Sequence, residues 1–241
     1  MQTIGLIGGM SWESTATYYS RMNQEVRRRL GGLASAEIML RSVDFARIVA
    51  MQKRGAWDEA EAEMIRLARA LERGGADMVL ICTNTMHKLA DAVAGAISVP
   101  LLHIVDTTAR PIKAQGLMRP LLLATQYTME QDFYLDRMRK LQGLDAIVPD
   151  AAEDRRLVHS VIFDELCAGI VREESRAAYR DIIEKGRKAG ADCVILGCTE
   201  IGLLIGQDDT DLPVFDSTIL HADAALDLAM AEAIAVDLAA D

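Results

Sequence analysis

The sequence predicts an α/β fold built from two similar domains with parallel sheets, and three observations carry that prediction. Short apolar runs alternate with longer amphipathic ones, a twelve-residue segment of the first half recurs in the second, and no low-complexity linker interrupts the pattern. The apolar runs are residues 4–7, 37–42, 78–82, 101–105, 121–124, 193–196 and 214–215, with helical stretches such as 57–73 and 176–189 between them. Strands joined by helical crossovers imply parallel sheets covered on both faces. Gly116 and Pro120 break the alternation, so the domain boundary is expected within residues 115–120. The expected division is a first domain of residues 1–116 completed by residues 213–241, and a second of residues 117–212.

The recurrence is gapless. Residues 74–85 read GGADMVLICTNT and residues 189–200 read AGADCVILGCTE, so Ala76-Asp77 matches Ala191-Asp192 and Thr83 falls opposite Cys198. Each segment leads through a helix-like stretch into a Pro-led strand, at Pro100 and at Pro213, and a weaker echo links Gly5–Met10 with Leu121–Met129. Ligands of open α/β sheets bind beyond the carboxyl ends of the strands. Two duplicated domains that face each other would therefore set Thr83 and Cys198 on opposite walls of one crevice. Such pseudo-twofold symmetry suits chemistry on both faces of one carbon.

Composition narrows the function. A chain of 241 residues that is 51% hydrophobic buries one large core or two small ones. A net charge of −10 argues against a nucleic-acid-binding surface, which needs an excess of Lys and Arg. No apolar run approaches the roughly 18 to 20 residues that span a bilayer, and residues 1–10 lack the marks of a signal peptide. Cys82, Cys167, Cys193 and Cys198 show no CxxC spacing. A reducing, cytoplasmic setting with free thiols is expected.

Cys198 is the candidate nucleophile or base. It ends a strand ahead of Thr199, Glu200 and a helix, and a helix N-terminus is expected to lower its pKa. Cys167 and Cys193 lie inside apolar runs and read as inert. Thr83-Asn84-Thr85 is the counterpart loop, suited both to capping a helix and to holding a carboxylate. For His87, on the first turn after it, a surface or capping role is expected ahead of a catalytic one. The turn Gly5–Met10 is not a dinucleotide fingerprint, but it brings the backbone at Met10 near a small ligand. Arg47 and Gln52 are further candidates to reach the crevice, and a solvated helix face is the competing role for each. His103, His159 and His221 follow no metal-ligand spacing, so no metal site is expected.

With GLIGGMSWEST at the start, TNTMHK in the middle and GCTEIGLL later, the sequence resembles the aspartate/glutamate racemase family over nearly its whole length. It looks most like the aspartate racemase branch, which includes broad-specificity amino-acid racemases; Cys198-Thr199-Glu200 stands where cell-wall glutamate racemases usually carry Cys-Thr-His. The resemblance implies two flavodoxin-like domains with the active site in the crevice, no cofactor, a homodimer and an amino-acid substrate. It also implies two cysteines flanking the α-carbon, one removing a proton and the other delivering one. Cys198 matches the second. Met10, Gln52, Asn84, Thr85, Thr199 and Glu200 match ligand positions.

The first cysteine is replaced. Where the family commonly has Cys-Asn-Thr this chain has Thr83-Asn84-Thr85, and Cys82 stands one position early, on the opposite face of the strand. Thr83 thus takes the catalytic place. A hydroxyl can protonate a carbanion but is a poor base, so abstraction by Cys198 and reprotonation by Thr83 predict an enzyme that strongly favours one enantiomer of aspartate and/or glutamate. Some aspartate-specific members hold the distal carboxylate with a Lys of the second domain. None occurs between Lys140 and Lys185, so Arg47 is the expected substitute, or the side-chain preference is broader. Two other functions fit a single well-placed thiol: a decarboxylase or isomerase of small acids, and a non-catalytic amino-acid-binding protein.

Overall fold

A computed structural model describes residues 1–237, which divide into two compact units. The first comprises residues 1–103 together with the chain from His221 onward, and the second comprises residues 104–220.

The first unit runs β1 (Ile4–Gly8), α1 (Trp12–Leu30), β2 (Ile38–Ser42), α2 (Phe45–Arg54), α3 (Trp57–Arg73), β3 (Met78–Ile81), α4 (Ala90–Ala94) and β4 (Leu101–Leu102). Its four strands pair in parallel in the order β2-β1-β3-β4. The second unit contains α5 (Ile104–Ala114), β5 (Pro120–Leu123), α6 (Gln126–Glu130), α7 (Asp132–Gln142), α8 (Ala152–Ser160), α9 (Glu173–Lys188), β6 (Cys193–Leu196) and β7 (Val214–Asp216). Its sheet is parallel in the order β5-β6-β7, and Ile147 bridges to Leu121 on the other side of β5. The last described helix, α10 (Ser217–Asp237), starts in the second unit and belongs to the first from His221 onward.

The duplication is visible bond by bond. The central strands β3 and β6 are each fully buried between two parallel neighbours. The Asp77 amide donates to Thr3 O (2.9 Å) and the Asp192 amide to Arg119 O (3.0 Å). Their carboxylates repeat each other too: Asp77 accepts from Thr3 N (2.7 Å), and Asp192 from Met118 N (2.6 Å) and Arg119 N (2.9 Å). Val79 and Val194 donate to the carbonyls of Pro100 and Pro213, and Cys82 and Gly197 to those of Ile7 and Leu123. The two aspartates of the sequence echo thus anchor the start of a neighbouring strand in both units.

Strand parity sorts the core. Met78, Leu80 and Cys82 pack with Ile4 and Leu6 against Tyr18, Met22 and Val26 of α1 and Ala222, Leu226 and Met230 of α10. Val79 and Ile81 face the other way, onto Met64, Leu67 and Leu71 of α3. Cys82 is fully buried, and this burial pushes its thiol pKa far up, as expected for a residue behind the strand.

The division differs from the expected one at both boundaries. The expected breaks lie after residues 116 and 212; the structure breaks after residues 103 and 220. Residues 213–220 follow the second unit because Val214 pairs with Val194 of β6. Residues 104–116 do so because Arg137 of α7 forms a two-pronged ion pair with Asp106 of α5 (2.6 and 2.8 Å). Residues 238–241 of the segment assigned to the first domain lie outside the described residues. The apolar run 101–105 is strand only through Leu102. From Ile104 it is helix, and the hydroxyls of Thr107 and Thr108 donate to Ile104 O (3.0 and 2.7 Å).

Two glycines carry the strand ends. Gly9 has φ +86°, and a Cβ there would lie 2.3 Å from the Val43 carbonyl oxygen. A Cβ on Gly197, just before Cys198, would lie 2.7 Å from a Leu122 methyl and 2.9 Å from the Ala124 Cβ. Gly9→Ala is expected to lower stability by more than about 2 kcal/mol, because it meets backbone at a positive φ. Gly197→Ala is expected to cost less, since Gly197 has no positive φ and its nearest contact is a Leu methyl that can yield. Urea denaturation of both variants checks the order.

Candidate active site

In the first unit the site residues gather where β1 and β3 end. After β1 the chain turns at Gly9-Met10-Ser11 into α1; Gly9 N donates to Thr15 Oγ1 (2.8 Å) and Ser14 N to Ser11 Oγ (3.2 Å). Ser14 Oγ donates to Cys82 O (3.4 Å), which ties this turn to the end of β3. Beyond Cys82 the chain reverses at once, with Thr83 N donating to Ile81 O (2.8 Å). Thr83 is partly exposed, whereas Asn84 and Thr85 are buried. A short 3-10 turn, Thr85–Leu89, follows. Met10, Ile48, Met86 and Leu89 share one buried patch, and Gln52 Nε2 reaches Met86 Sδ (3.3 Å). Met10, Gln52, Thr83, Asn84 and Thr85 therefore occupy one end of one sheet.

Arg47 does not join them. It lies on the exposed face of α2 and lines a concavity of about 210 Å³ with Arg41, Arg66, Asp44 and Glu63. Arg47 and Gln52 are five positions apart on one helix, which points them in widely different directions. There Arg47 acts on Glu63, whose carboxyl is held below its usual range first by its pairing with Arg66 and then by Arg47 and Arg41.

His87 is not a surface residue: it is 3% exposed. Its Nδ1–H donates to Thr83 O (2.8 Å), so it braces the Thr83 loop. Its ring lies 4.7 Å from that of His103 and 5.6 Å from that of His221. The Tyr18 hydroxyl donates to His221 Nδ1 (2.8 Å), and His221 Nε2–H donates to Leu102 O (3.0 Å). A carbonyl can only accept, so His221 is the neutral Nε2–H tautomer. No sequence spacing signals this cluster, because four separate elements supply it. Among the described residues, no group of three or more His, Cys, Asp or Glu is arranged to hold a metal ion.

In the second unit Cys198 follows β6 and stands ahead of a five-residue 3-10 turn, Thr199–Leu203. Its Sγ–H donates to Glu200 Oε2 (2.9 Å). Glu200 is 5% exposed, so this sequence-predicted ligand contact is turned onto the thiol instead. Thr199 Oγ1 meets Thr218 Oγ1 (3.1 Å). Asp216, at the end of β7, accepts from Thr218 N (2.8 Å) and Ile219 N (3.2 Å) at the start of α10. Its carboxyl is pushed up to about 6, mainly by burial and partly by Glu200. Sequence inspection missed Asp216, which ends a strand too short for its alternation to be read.

The thiol departs from expectation in its electrostatics. Burial first, then the Glu200 carboxylate, raises the Cys198 pKa well above the usual thiol value. The expected lowering by a helix N-terminus is absent, because the turn that follows is short and an anion sits on the sulfur. Cys167 also bears on Cys198, and both pack against the second unit's core.

Acid destabilises the buried histidines. Burial and the neighbouring His87 lower the His221 pKa to about 3. A histidine with a depressed folded pKa contributes stability that is full above about 6.5 and lost as pH falls towards 3. The urea midpoint is expected to drop between pH 7 and pH 5, and to drop less in His221→Gln.

Comparison with known proteins agrees with this arrangement. The profile of the family described as Asp/Glu/Hydantoin racemase matches residues 7–225. A Yersinia pestis protein, whose crystal structure was described as that of a candidate Asp/Glu racemase, is 49% identical with a TM-score of 0.90, over 95% of this chain and 100% of that one. An aspartate racemase homologue from Pyrococcus horikoshii OT3 is 34% identical with a TM-score of 0.84, over 95% and 99% of the two chains. The broad specificity amino-acid racemase RacX of Bacillus subtilis is 26% identical over 67% of this chain and 68% of its own.

Proposed function

The chain belongs to the Asp/Glu/Hydantoin racemase family, and from that premise we propose that it racemises aspartate and/or glutamate without a cofactor, using Cys198 as base and Thr83 as acid. One observation carries the assignment of roles: the gapless repeat sets Thr83 and Cys198 at equivalent positions just past β3 and β6, two fully buried interior strands. Homologues named as racemases supply the reaction class. The enzyme acts as a cytoplasmic homodimer in this account, a setting that suits four cysteines found as free thiols.

The chemistry follows from the two groups. Cys198 as thiolate removes the α-proton and becomes a thiol, leaving a carbanion stabilised by the substrate carboxylate. Thr83 Oγ–H protonates the other face and recovers its proton from solvent. The buried side chains of Asn84 and Thr85 and the partly buried Thr199 hydroxyl, with the backbone at Met10 and the amide of Gln52, hold the substrate's carboxylate and ammonium. Arg47, exposed on α2 beyond the end of β2, is the candidate contact for the substrate's distal carboxylate.

The route is one-sided. An alcohol has no ready anion near neutral pH, so the enantiomer that needs Thr83 as base reacts poorly.

Incubation of an amino-acid panel in heavy water, read by proton NMR and chiral chromatography, tests the assignment. Aspartate or glutamate is expected to exchange its α-proton without added cofactor; no exchange with any amino acid would overturn it. Cys198→Ala is expected to abolish exchange in both directions, and Thr83→Cys to raise the rate from the disfavoured enantiomer at least about tenfold.

A further inference from the structure

We propose that Glu200 is the proton acceptor that converts the Cys198 thiol into the working base. The inference rests on the racemase assignment above and adds to it the source of the thiolate. The Sγ–H points at Glu200 Oε2 at 2.9 Å, inside a nearly closed environment where Glu200 is 5% exposed. A resting thiol cannot take an α-proton, so it must first give up its own, and a carboxylate already accepts its hydrogen bond.

The neighbourhood is acidic. Glu200 acts on Asp216, Cys167 acts on the Cys198 thiol, and Cys198 and Glu165 both act on Tyr179. Glu165 is itself held by Ser175 Oγ (2.6 Å), and the Tyr179 hydroxyl donates to Val158 O (3.0 Å), which leaves Glu200 as the carboxylate in contact with sulfur. Asp216 is committed to the first turn of α10 through Thr218 N and Ile219 N.

The step balances without another reactant. The S–H bond breaks, its electron pair stays on sulfur, and the proton goes to Glu200 Oε2. This gives a thiolate and a neutral carboxylic acid, which together carry the same single negative charge. The arriving substrate ammonium favours charge on sulfur, the thiolate takes the α-proton, and Cys198 is a thiol again. Glu200 then releases its proton to solvent, from which Thr83 recovers the one it gave to the carbanion.

Glu200→Gln keeps the shape and removes the base, and two measurements on the whole protein read its effect. Iodoacetamide alkylation of Cys198, followed peptide by peptide across the pH range, is expected to speed up roughly tenfold at pH 8 because a like charge is gone. Exchange of the α-proton from the favoured enantiomer in heavy water is expected to slow about 100-fold. Faster alkylation with slower exchange supports the proton-acceptor role. Exchange that is unchanged, or that rises together with alkylation, overturns it and leaves the racemase assignment standing. Wild-type protein that exchanges no amino acid overturns that assignment and this inference with it. If Glu200→Gln does not fold, Glu200→Ala with added formate decides: formate-dependent recovery of exchange supports the role, and no recovery opposes it.

Discussion

The arrangement depends on one constraint, the pairing of a central strand on both sides with parallel neighbours. β3 and β6 are buried on both faces, so their backbone groups are spent on the ladders and their side chains on the core. Polar chemistry is admitted only where each strand ends. Parity then decides which side chain stands just past the core. Cys82 shares a face with Met78 and Leu80 and is buried against α1 and α10, so the next residue, Thr83, is the first past the core. A single-residue shift separates the buried Cys82 thiol from the partly exposed Thr83 hydroxyl.

The same geometry explains why the thiol's pKa is raised. A long helix starting at Cys198 would help to stabilise a thiolate. The chain instead makes a five-residue 3-10 turn and folds Glu200 back onto the sulfur. Burial and the carboxylate act together against ionisation. In the proposed step the pair holds its proton until a substrate ammonium changes the balance of charge. In the proposed reaction the Thr83 hydroxyl gives a proton far more readily than it takes one, and this sets the direction of the chemistry.

Much of this was legible in the sequence, and the reasons are specific. The recurrence of Gly-Ala-Asp followed by four apolar residues located both central strands, because each aspartate makes the same backbone contacts to a neighbouring strand in the two units. The burial of Cys82 followed from alternation alone. What stayed hidden depends on contacts between distant segments. Residues 104–116 and 213–220 changed unit because Asp106 pairs with Arg137 and Val214 with Val194. The buried histidines come from separate elements, and neither their stacking nor the Tyr18 bond leaves a trace in spacing. Arg47 looked available on charge, yet the helix turns it away from Gln52 towards Glu63.

The central claim is that one thiol and one hydroxyl serve the two faces of the α-carbon unequally. The most direct measurement is the initial rate of solvent-deuterium incorporation at the α-carbon for each pure enantiomer of aspartate and glutamate, under identical conditions. The account predicts rates that differ by at least about 100-fold, because only one enantiomer presents its proton to Cys198. Equal initial rates would contradict it.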